Sequence, residues 1–433
     1  MSLLIKNGTL LLPDGARRGN LLVVGDKIAS VTATEPRAES AVDADGMVVM
    51  PGMIDPHVHF RQPGMDGEDW LSGSMSALAG GVTTVLDMPN TRPPTTSAPL
   101  LSEKIRLIEA QTAGGPCVNY GLHLGATRSN AKEVLAAGLG HPTSRRRRRA
   151  ASLKLFMGSS TGELLIDDGR TLKELLGACR LASVHAEDEA VIRVSAVGRD
   201  HLSRRPKEAA LSAIRKLLSW GTPGRVYVCH LTSGEEVDLA SPFYREATPH
   251  HLFLTDDLMR TMGSFAKVNP PLRHESDRAS LWDAVAGGRV DCIGSDHAPH
   301  TAASKGRDDV SSPSGVPGVE TALPLMFNAF LKAGLPLQAL AALTSRNAAR
   351  IFGISGKGAL AAGFDADITI LDPKEERKVR AEGLHYKCGW TPYEGMAIVG
   401  WPKHTFVLGE AAYNDGSFSK AKGRSVVYEV RPP

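Results

Sequence analysis

The sequence predicts an α/β fold: a (β/α)8 TIM barrel flanked by a small β-sandwich domain that both chain ends form. Three observations carry this prediction: short apolar runs in the middle of the chain, amphipathic segments between them, and β-like character at both ends. Repeated strand–helix units predict a parallel sheet, and eight of them predict a barrel. We therefore expect residues 51–355 to form the barrel and residues 1–50 with 356–433 to form the flanking domain.

The elements follow from the local pattern of apolar residues. The eight predicted barrel strands occupy 52–60, 82–90, 117–127, 151–157, 181–188, 225–232, 244–252 and 289–299. Amphipathic segments at 98–113, 129–139 and 206–220 predict helices between them. Towards both ends, apolar runs separated by tight turns predict short antiparallel strands. The pairing of the two ends into one domain is inferred from their shared composition.

Composition narrows the classes of partner. The chain has 433 residues, a formal net charge of +3 and 42% hydrophobic residues. This balance is typical of a globular protein and favours neither a nucleic acid nor a membrane as partner. The five cysteines form no C-x-x-C pair, and we expect a reducing cytoplasm. No signal peptide is recognised, and no apolar run reaches the roughly 18 residues of a membrane span.

Two further segments stand out. The run Arg145–Arg149 precedes the predicted strand at 151–157. We interpret it as a solvated loop, with binding of an anion or RNA as the alternative. The segment 301–316 is rich in Ser, Gly and Asp, and we expect either a mobile lid over a site or a long surface loop.

Two histidines, His57 and His59, mark the end of the first predicted barrel strand. Alternate residues of a strand point the same way, so both imidazoles can reach one ion. An H-x-H pair alone is a weak signal, but other side chains suited to metals lie near the ends of later strands. They are Lys154, His185, His230 and Asp296. Because the carboxyl ends of barrel strands share one face, the set predicts a metal site.

The ligand types suggest the metal. Imidazole and carboxylate suit zinc, and also manganese, cobalt or iron. The ammonium of Lys154 has no lone pair, so it bridges two cations only if it is carboxylated to a carbamate. The alternative is a Lys154 that pairs with Asp296 or that holds an empty metal site. Two ions about 3.5–4 Å apart share a hydroxide and polarise a carbonyl, so we expect two divalent ions, with zinc preferred.

Several segments of the chain resemble the amidohydrolase superfamily. They are G-M-I-D-P-H-V-H, the strand-end Lys154, the two later histidines, S-D-H-A-P-H and residues 356–372. Within the superfamily the chain looks like a type I dihydroorotase. That likeness is carried by H-V-H-F-R-Q-P-G, D-M-P-N-T-R-P-P, V-N-P-P-L-R, and S-D-H-A-P-H-T followed by P-S-G-V-P-G-V-E-T. It extends over nearly the whole chain.

The resemblance implies a role for each matching residue. The implied ligands of the first metal are His57, His59 and Asp296, those of the second are His185 and His230, and carboxylated Lys154 bridges the two. The implied substrate-binding residues are Arg61, Asn90 and His300 for a carboxylate, and Asn269 with the backbone near Pro317 and Gly318 for the ring. Plain turn or loop roles are the alternatives for Asn90, Asn269 and His300, and a loop salt bridge is the alternative for Arg61.

The implied reaction interconverts (S)-dihydroorotate and N-carbamoyl-L-aspartate in de novo pyrimidine biosynthesis. A hydroxide shared by the two metals attacks the ring amide, and Asp296 carries the proton to the leaving nitrogen. Arg61 has the strand parity of His57 and His59, and its planar, permanently charged fork suits the substrate's carboxylate. An allantoinase, a hydantoinase or dihydropyrimidinase, and a catalytically silent scaffold homologue are the alternatives. A homodimer and association with aspartate carbamoyltransferase are the expected assemblies.

Other polar residues near these motifs are interpreted as supporting ones. Cys229 precedes His230, so strand alternation predicts that it faces away as a core thiol, with an accessory metal ligand as the alternative. Glu246, His250–His251 and His297 are interpreted as structural residues or as residues that contact the ligands from behind.

Overall fold

The computed structural model describes residues 2–140, 148–160, 164–197, 200–221, 225–308 and 310–429. The structure is of the predicted α/β class. The strands near the N-terminus are β1 (Ser2–Leu12), β2 (Gly15–Val24), β3 (Lys27–Thr32), β4 (Ser40–Asp43) and β5 (Val48–Pro51). The central strands are β6 (Met53–Val58), β7 (Val82–Asp87), β8 (Asn119–Leu122), β9 (Leu124–Gly125), β10 (Leu153–Phe156), β11 (Ala182–His185), β12 (Val226–Val228), β13 (Tyr244–Ala247) and β14 (Cys292–Ile293). The last strands are β15 (Ile368–Leu371), β16 (Glu376–Lys378), β17 (Ala397–Val399), β18 (Pro402–Val407), β19 (Glu410–Asn414) and β20 (Ser417–Phe418).

Helices lie between the central strands and after the last of them. They are α1 (Trp70–Ala79), α2 (Ala98–Gln111), α3 (Ala131–Ala136), α4 (Gly169–Ala178), α5 (Glu189–Ser195), α6 (His201–Arg204), α7 (Lys207–Ser219), α8 (Gly234–Leu239), α9 (Pro249–Phe253), α10 (Leu258–Met262), α11 (Glu275–Ala286), α12 (Ala302–Lys305), α13 (Val319–Ala333), α14 (Leu337–Ala341) and α15 (Asn347–Phe352). Helix α2 illustrates why they form: Ser97 caps its first turn, and Leu101 and Ile108 bury one face. Among the described residues, no helix combines the length and apolarity that crossing a bilayer requires.

The central strands form two parallel arrays, β6–β7–β8 and β9 through β14. The segment 119–125 borders both arrays: the His123 amide donates to Asp87 O at 2.9 Å, and the Leu124 amide donates to Ser152 O at 3.0 Å. At the other edge, the His59 amide donates to His297 O at 2.7 Å. All carboxyl ends of these strands therefore lie on one side of the molecule.

Strands from both chain ends share one nine-stranded sheet. Its order is β20–β19–β18–β15–β5–β1–β2–β3, and β4 pairs with β1. The link between the two ends is the antiparallel pair β5–β15, in which Met50 lies opposite Thr369. The sheet has its own buried cluster, which includes Ile5, Leu21 and Phe406. Burial of these apolar side chains stabilises the association of the two chain ends.

The predicted strand at 244–252 is wrong in its second half. Strand β13 ends at Ala247, and α9 begins at Pro249. Proline has no backbone donor and a fixed φ, so it suits the first turn of a helix better than the middle of a sheet. The predicted helix at 129–139 is shorter than expected, since α3 covers Ala131–Ala136.

Two predictions about basic and terminal segments also need correction. Residues 145–147 of the arginine run lie outside the described part. Arg149 is exposed, but Arg148 is buried rather than solvated, with its guanidinium 4.7 Å from the ring centre of Tyr428. Residues 421–428 were assigned to the flanking domain. They instead run beside the central strands, where Lys422 pairs with Cys117 and Ser425 pairs with Tyr120.

A buried ion pair between Lys104 and Asp87 joins α2 to the end of β7. The other oxygen of Asp87 accepts from the Phe60 amide at 2.7 Å. We expect Lys104→Met to lower the free energy of unfolding by about 3–5 kcal/mol, because it leaves a buried carboxylate without its cation. Urea denaturation measures this loss, with exposed Lys132→Met on α3 as the matched control. Equal stability of the two variants would contradict the assignment.

Candidate metal centre and substrate pocket

The predicted metal ligands meet at the carboxyl ends of the central strands. They line one cavity. The residues that line it are His57, His59, Arg61, Asn90, Lys154, Phe156, Ser160, His185, His230, Asn269, Asp296, Ala298, Ser314 and Gly315. The six residues predicted as metal ligands are all buried. The cavity is therefore the candidate active site.

His57, His59 and Asp296 form the first ligand cluster. Asp296 Oδ1 lies 3.2 Å from His57 Nε2 and 3.1 Å from His59 Nε2. The other ring nitrogen of each histidine is already occupied, because His57 Nδ1 donates to Glu246 at 2.8 Å and His59 Nδ1 donates to Asn90 Oδ1 at 2.8 Å. In neutral rings the two Nε2 atoms then carry lone pairs. Three acceptors that converge without a donor fit a bound cation.

His185 and His230 form the second cluster. His185 Nδ1 lies 3.0 Å from His230 Nε2, and the ring centres are 4.7 Å apart. His185 Nε2 donates to Glu187 at 2.8 Å, which leaves the lone pair of Nδ1 directed at His230. His230 Nδ1 is buried and has no hydrogen-bond partner among the described residues. The pair fits a second cation, since a metal would take the lone pairs that the protein leaves unmatched.

Lys154 lines the same cavity as the two clusters. Its Nζ contacts Cys229 Sγ at 3.1 Å and lies 5.0 Å from the ring centre of Phe156. Within the described chain it makes no ion pair with a carboxylate, so the alternative pairing with Asp296 is not seen. A buried ammonium without a counter-ion is costly.

Cys229 does not face away from the site as predicted. It contacts Lys154, and its Sγ lies within 4.8 Å of ligand atoms of His57 and Glu246. The reason is local: His230 has φ +40°, which breaks the strand alternation at this point. Arg61 (φ +61°) and Asp296 (φ +44°) share this left-handed conformation at their own strand ends. Such backbone costs about 1–3 kcal/mol per residue and clusters at functional sites.

Carboxylates behind the ligands fix the orientation of the imidazoles. Glu246 accepts from His57 Nδ1, from the Tyr227 hydroxyl at 2.8 Å and from the His230 amide at 2.9 Å. Glu187 accepts from His185 and from Arg205 Nη2 at 2.6 Å. The role of Glu187 was not predicted from the sequence, although Glu187 follows His185 by two residues and would therefore lie on the same face of a strand.

Burial controls protonation in this pocket. Burial lowers the pKa of His59 to about 3 and lowers the pKa of His185. Burial alone would raise the pKa of Glu187, but Arg205 and His185 outweigh it and the net pKa is lowered. Neutral imidazoles and ionised carboxylates are the forms that bind metal ions. At His57 the opposite holds, because Glu246 and Asp296 outweigh burial and raise its pKa, so a cation that binds there has to displace a proton from this imidazole.

We expect Glu246→Gln to weaken metal binding by about 10- to 100-fold. The amide cannot accept from His57, Tyr227 and the His230 backbone as a carboxylate does, so the orientation of two ligands is lost. Competition with a chromophoric chelator measures the dissociation constants. Tyr227→Phe is the matched control, because it removes one hydrogen bond to Glu246 and leaves the carboxylate. Unchanged affinity in Glu246→Gln would contradict this role.

Arg61 supplies the positive charge of the pocket. It is buried, its Nε donates to Pro299 O at 2.9 Å, and its Nη2 lies 2.9 Å from His300 Nε2, which also lies 3.0 Å from Ser314 O. Its Nη1 has no protein partner in the described part of the chain. Burial lowers its pKa to about 10, so the guanidinium stays charged at neutral pH. The pocket can therefore hold an anionic group of a ligand beside the metal ligands.

The other predicted substrate contacts divide into two groups. Asn269 lines the pocket, and its Oδ1 accepts from the Ser314 hydroxyl at 3.1 Å. Asn90 lines the pocket and also orients His59. His300 contacts Arg61 from behind rather than the cavity itself.

Pro317 and Gly318 need correction. The Gly318 amide donates to His297 Nδ1 at 3.1 Å and is therefore engaged within the protein. Ser314 and Gly315 line the pocket in their place. The Gly-Pro segment lies next to the cavity, but its earlier residues line the cavity rather than Pro317 and Gly318.

Comparison with known proteins defines the class of this protein. The model of the amidohydrolase family matches residues 48–155 and 182–412. The matched residues include most of those that line the pocket, from His57 to Asp296. The chain belongs to the amidohydrolase family, whose members generally use a divalent metal centre.

Curated relatives narrow the class. The dihydroorotase of Halobacterium salinarum is 38% identical, and the match covers 96% of this chain and 98% of that protein. The dihydroorotase of Methanosarcina acetivorans is 36% identical over 98% of this chain and 95% of that protein. The dihydroorotase of Thermus aquaticus is 33% identical, and the match covers 95% of this chain and 99% of that protein. Within its family, this chain groups with the dihydroorotases, and it is a hydrolytic enzyme.

Solved structures agree on the fold. L-hydantoinase (dihydropyrimidinase) from Arthrobacter aurescens superposes with a TM-score of 0.88 at 28% identity, covering 98% of this chain and 99% of that one. Dihydropyrimidinase from Brevibacillus agri superposes with a TM-score of 0.87 at 25% identity over the full length of both. Their identities are lower than those of the dihydroorotases above. They share the architecture with this chain, while the substrate preference follows the closer sequence relatives.

Proposed function

We propose that this enzyme interconverts (S)-dihydroorotate and N-carbamoyl-L-aspartate. The observation that carries the proposal is the position of Arg61: a buried guanidinium lines the same cavity as the six metal-binding side chains. The substrate ring bears a carboxylate next to the amide that reacts. A site that combines a fixed cation with a hydrolytic centre matches both groups of that substrate.

We assign the metal ligands as the sequence predicts. One divalent ion would be held by His57, His59 and Asp296, a second by His185 and His230, and carboxylated Lys154 would bridge them, with zinc preferred. When bound, such a pair lowers the pKa of water and polarises the ring carbonyl. The six side chains that meet in one cavity, and the position of Lys154 among them without a carboxylate partner in the described chain, support this assignment.

The protein's own groups bind the substrate and move the proton. Asp296 Oδ1 engages both histidines, and Oδ2 has no partner in the described structure. We assign Oδ2 to accept the proton of the attacking water and to return it to the ring nitrogen as the C–N bond breaks. Arg61 orients the carboxylate, and Asn269 and Ser314 contact the ring. In the cyclising direction the same oxygen takes the proton from the attacking carbamoyl nitrogen and gives it to the carboxyl oxygen that leaves as the C–N bond forms and the C–O bond breaks.

We further propose that the central strands close into an eight-stranded barrel, with β8 and β9 as one interrupted strand. The contacts of segment 119–125 and the His59–His297 hydrogen bond support closure at both edges. We propose that the terminal sheet folds over its own core as a flanking sandwich domain. A homodimer, and association with aspartate carbamoyltransferase, are proposed from the resemblance to dihydroorotases alone.

A hydantoinase or dihydropyrimidinase activity is the second candidate, because the superposed structures carry those names. The buried Arg61 argues against it, since the ring of such a substrate needs no carboxylate. Removal of metal with a chelator, followed by zinc, tests the first proposal. We expect turnover of dihydroorotate to disappear and return. Full activity of the metal-free protein would contradict it.

A further inference from the structure

Arg205 lies behind the metal-binding side chain of His185, although none of the central strands carries it. It follows α6, in the connection between β11 and β12. Glu187 joins the two residues, because its Oε2 accepts from His185 Nε2 at 2.8 Å and from Arg205 Nη2 at 2.6 Å. Arg205 Nε lies 3.2 Å from both oxygens of the same carboxylate, and all three side chains are buried. A guanidinium that engages a carboxylate through two nitrogens fixes its plane as well as its position.

The same guanidinium holds a wall of the cavity. Arg205 Nη2 also donates to Ser159 O at 2.7 Å, and the next residue, Ser160, lines the cavity. Gly158 packs closely on the end of β11, since a Cβ atom there would lie 2.7 Å from Glu187 O. The segment that follows β10 is therefore fixed relative to the strand that carries the metal-binding histidine.

A second arginine holds Arg205 in place. Arg273 Nη1 donates to Arg205 O at 2.7 Å, and Arg273 Nε donates to Thr232 Oγ1 at 3.2 Å. Glu236 accepts from the Thr232 amide at 2.9 Å. Both arginines are buried, as are the carboxylates of Glu187 and Glu236. Buried ion pairs often stabilise a fold no better than apolar side chains of similar volume. Four such charges behind one imidazole therefore point to a role in geometry.

The first ligand cluster is supported differently. Glu246 accepts from His57, from the Tyr227 hydroxyl and from the His230 amide. In the part of the chain that the structure describes, no arginine or lysine forms an ion pair with Glu246. A change at Arg205 should therefore act on one side of the metal centre.

We propose that Arg205 is a positioning residue for the second metal ion. Through Glu187 it holds the His185 ring so that Nδ1 faces the ion, and through Ser159 it holds the adjacent segment of the cavity wall. The inference rests on the two-ion assignment of the proposed function and deepens it. Groups that orient a metal-binding histidine from behind contribute about 10- to 100-fold to metal affinity.

The variant Arg205→Lys tests the inference, because lysine keeps the charge but cannot hold Glu187 and Ser159 O through one planar fork. Titration of the metal-free protein with zinc, in competition with a chromophoric chelator, measures the dissociation constants of both ions. We expect the affinity for one ion to fall by about 10-fold or more and the affinity for the other to stay unchanged. Arg215→Lys, at an exposed position of α7, is the matched control and should change neither. Equal losses for both ions, or no loss, would overturn the inference.

A double-mutant cycle identifies the affected ion. His185→Ala removes a ligand of the second ion, so Arg205→Lys should cause no further loss of zinc affinity in that background. The same loss in both backgrounds would show that Arg205 supports the fold as a whole, which contradicts a positioning role.

Glu187→Gln provides an independent route if circular dichroism shows that Arg205→Lys does not fold. The amide keeps an oxygen acceptor for His185 Nε2 but loses the charge that holds the guanidinium. We expect the same selective loss of affinity for one ion. Parental affinity for both ions in a folded Glu187→Gln protein would contradict the inference.

The result for Arg205 is separable from the proposed reaction, because the titration needs no turnover. A parent protein that binds fewer than two zinc ions contradicts the two-ion assignment and the inference with it. A parent that binds two ions but does not turn over dihydroorotate contradicts the proposed substrate alone. A selective loss in Arg205→Lys would support the positioning role even in that case.

Discussion

Replacement of Asp296 by Asn is expected to lower kcat by about 10³-fold while the protein keeps its metal. The reason is that the amide still offers an oxygen to the metal through Oδ1 but cannot accept a proton at the other position. General acid–base catalysis by one positioned group contributes about 10²–10⁴-fold. The loss should appear in both directions, because the same oxygen serves ring opening and ring closure.

Steady-state kinetics combined with elemental analysis of the purified variant separates proton transfer from metal loss. Asp45→Asn is a suitable control, since Asp45 is an exposed carboxylate of the terminal region that pairs with Arg18. It should keep parental activity and metal content. A metal-loaded Asp296→Asn enzyme with near-parental kcat would remove Asp296 from the proton path.

The variant Arg61→Lys is expected to lower kcat/KM for dihydroorotate by about 10²-fold. Lysine keeps the charge but loses the planar fork, and it cannot hold Pro299 O, His300 and a substrate carboxylate at once. Loss of a buried, charge-assisted contact costs about 2–5 kcal/mol, which corresponds to roughly 30-fold or more. The effect should fall on substrates that carry the carboxylate.

Dihydrouracil provides the matched substrate, because it has the same ring without the carboxylate. The ratio of kcat/KM for dihydroorotate to that for dihydrouracil should fall about 10²-fold in Arg61→Lys. Arg106→Lys, on the exposed side of α2, should leave the ratio unchanged. A loss that is equal for the two substrates would show that Arg61 supports the pocket rather than recognising the carboxylate.

The sequence predicts the α/β class and the ligand set because both depend on local periodicity. The side chains of His57 and His59 fall on one face of a strand, and later ligands recur near the ends of other strands. The bounds of individual strands and helices are less predictable where a segment is compatible with both. The predicted strand was extended through Thr248–Leu252, but Pro249 begins a helix there.

The details of the pocket were harder to predict because alternation fails where the strands end. His230 has a positive φ, and Cys229 contacts Lys154. The alternation of side chains along a regular strand does not predict this contact. Gly315 lines the cavity in place of Gly318, because the Gly318 amide donates a hydrogen bond to the side chain of His297. His297 is more than 20 residues away in sequence, so a local pattern does not predict this contact. The burial of Arg148 likewise depends on Tyr428, which is distant in sequence.

The central claim is that a metal centre and Arg61 together select a carboxylated cyclic amide. The most direct measurement determines the metal content of the purified protein and compares kcat/KM for dihydroorotate, hydantoin and allantoin on the same sample. We expect two divalent ions per chain and a dominant turnover of dihydroorotate. Dominant turnover of hydantoin or allantoin, or no turnover of any of the three by metal-loaded protein, would contradict the claim.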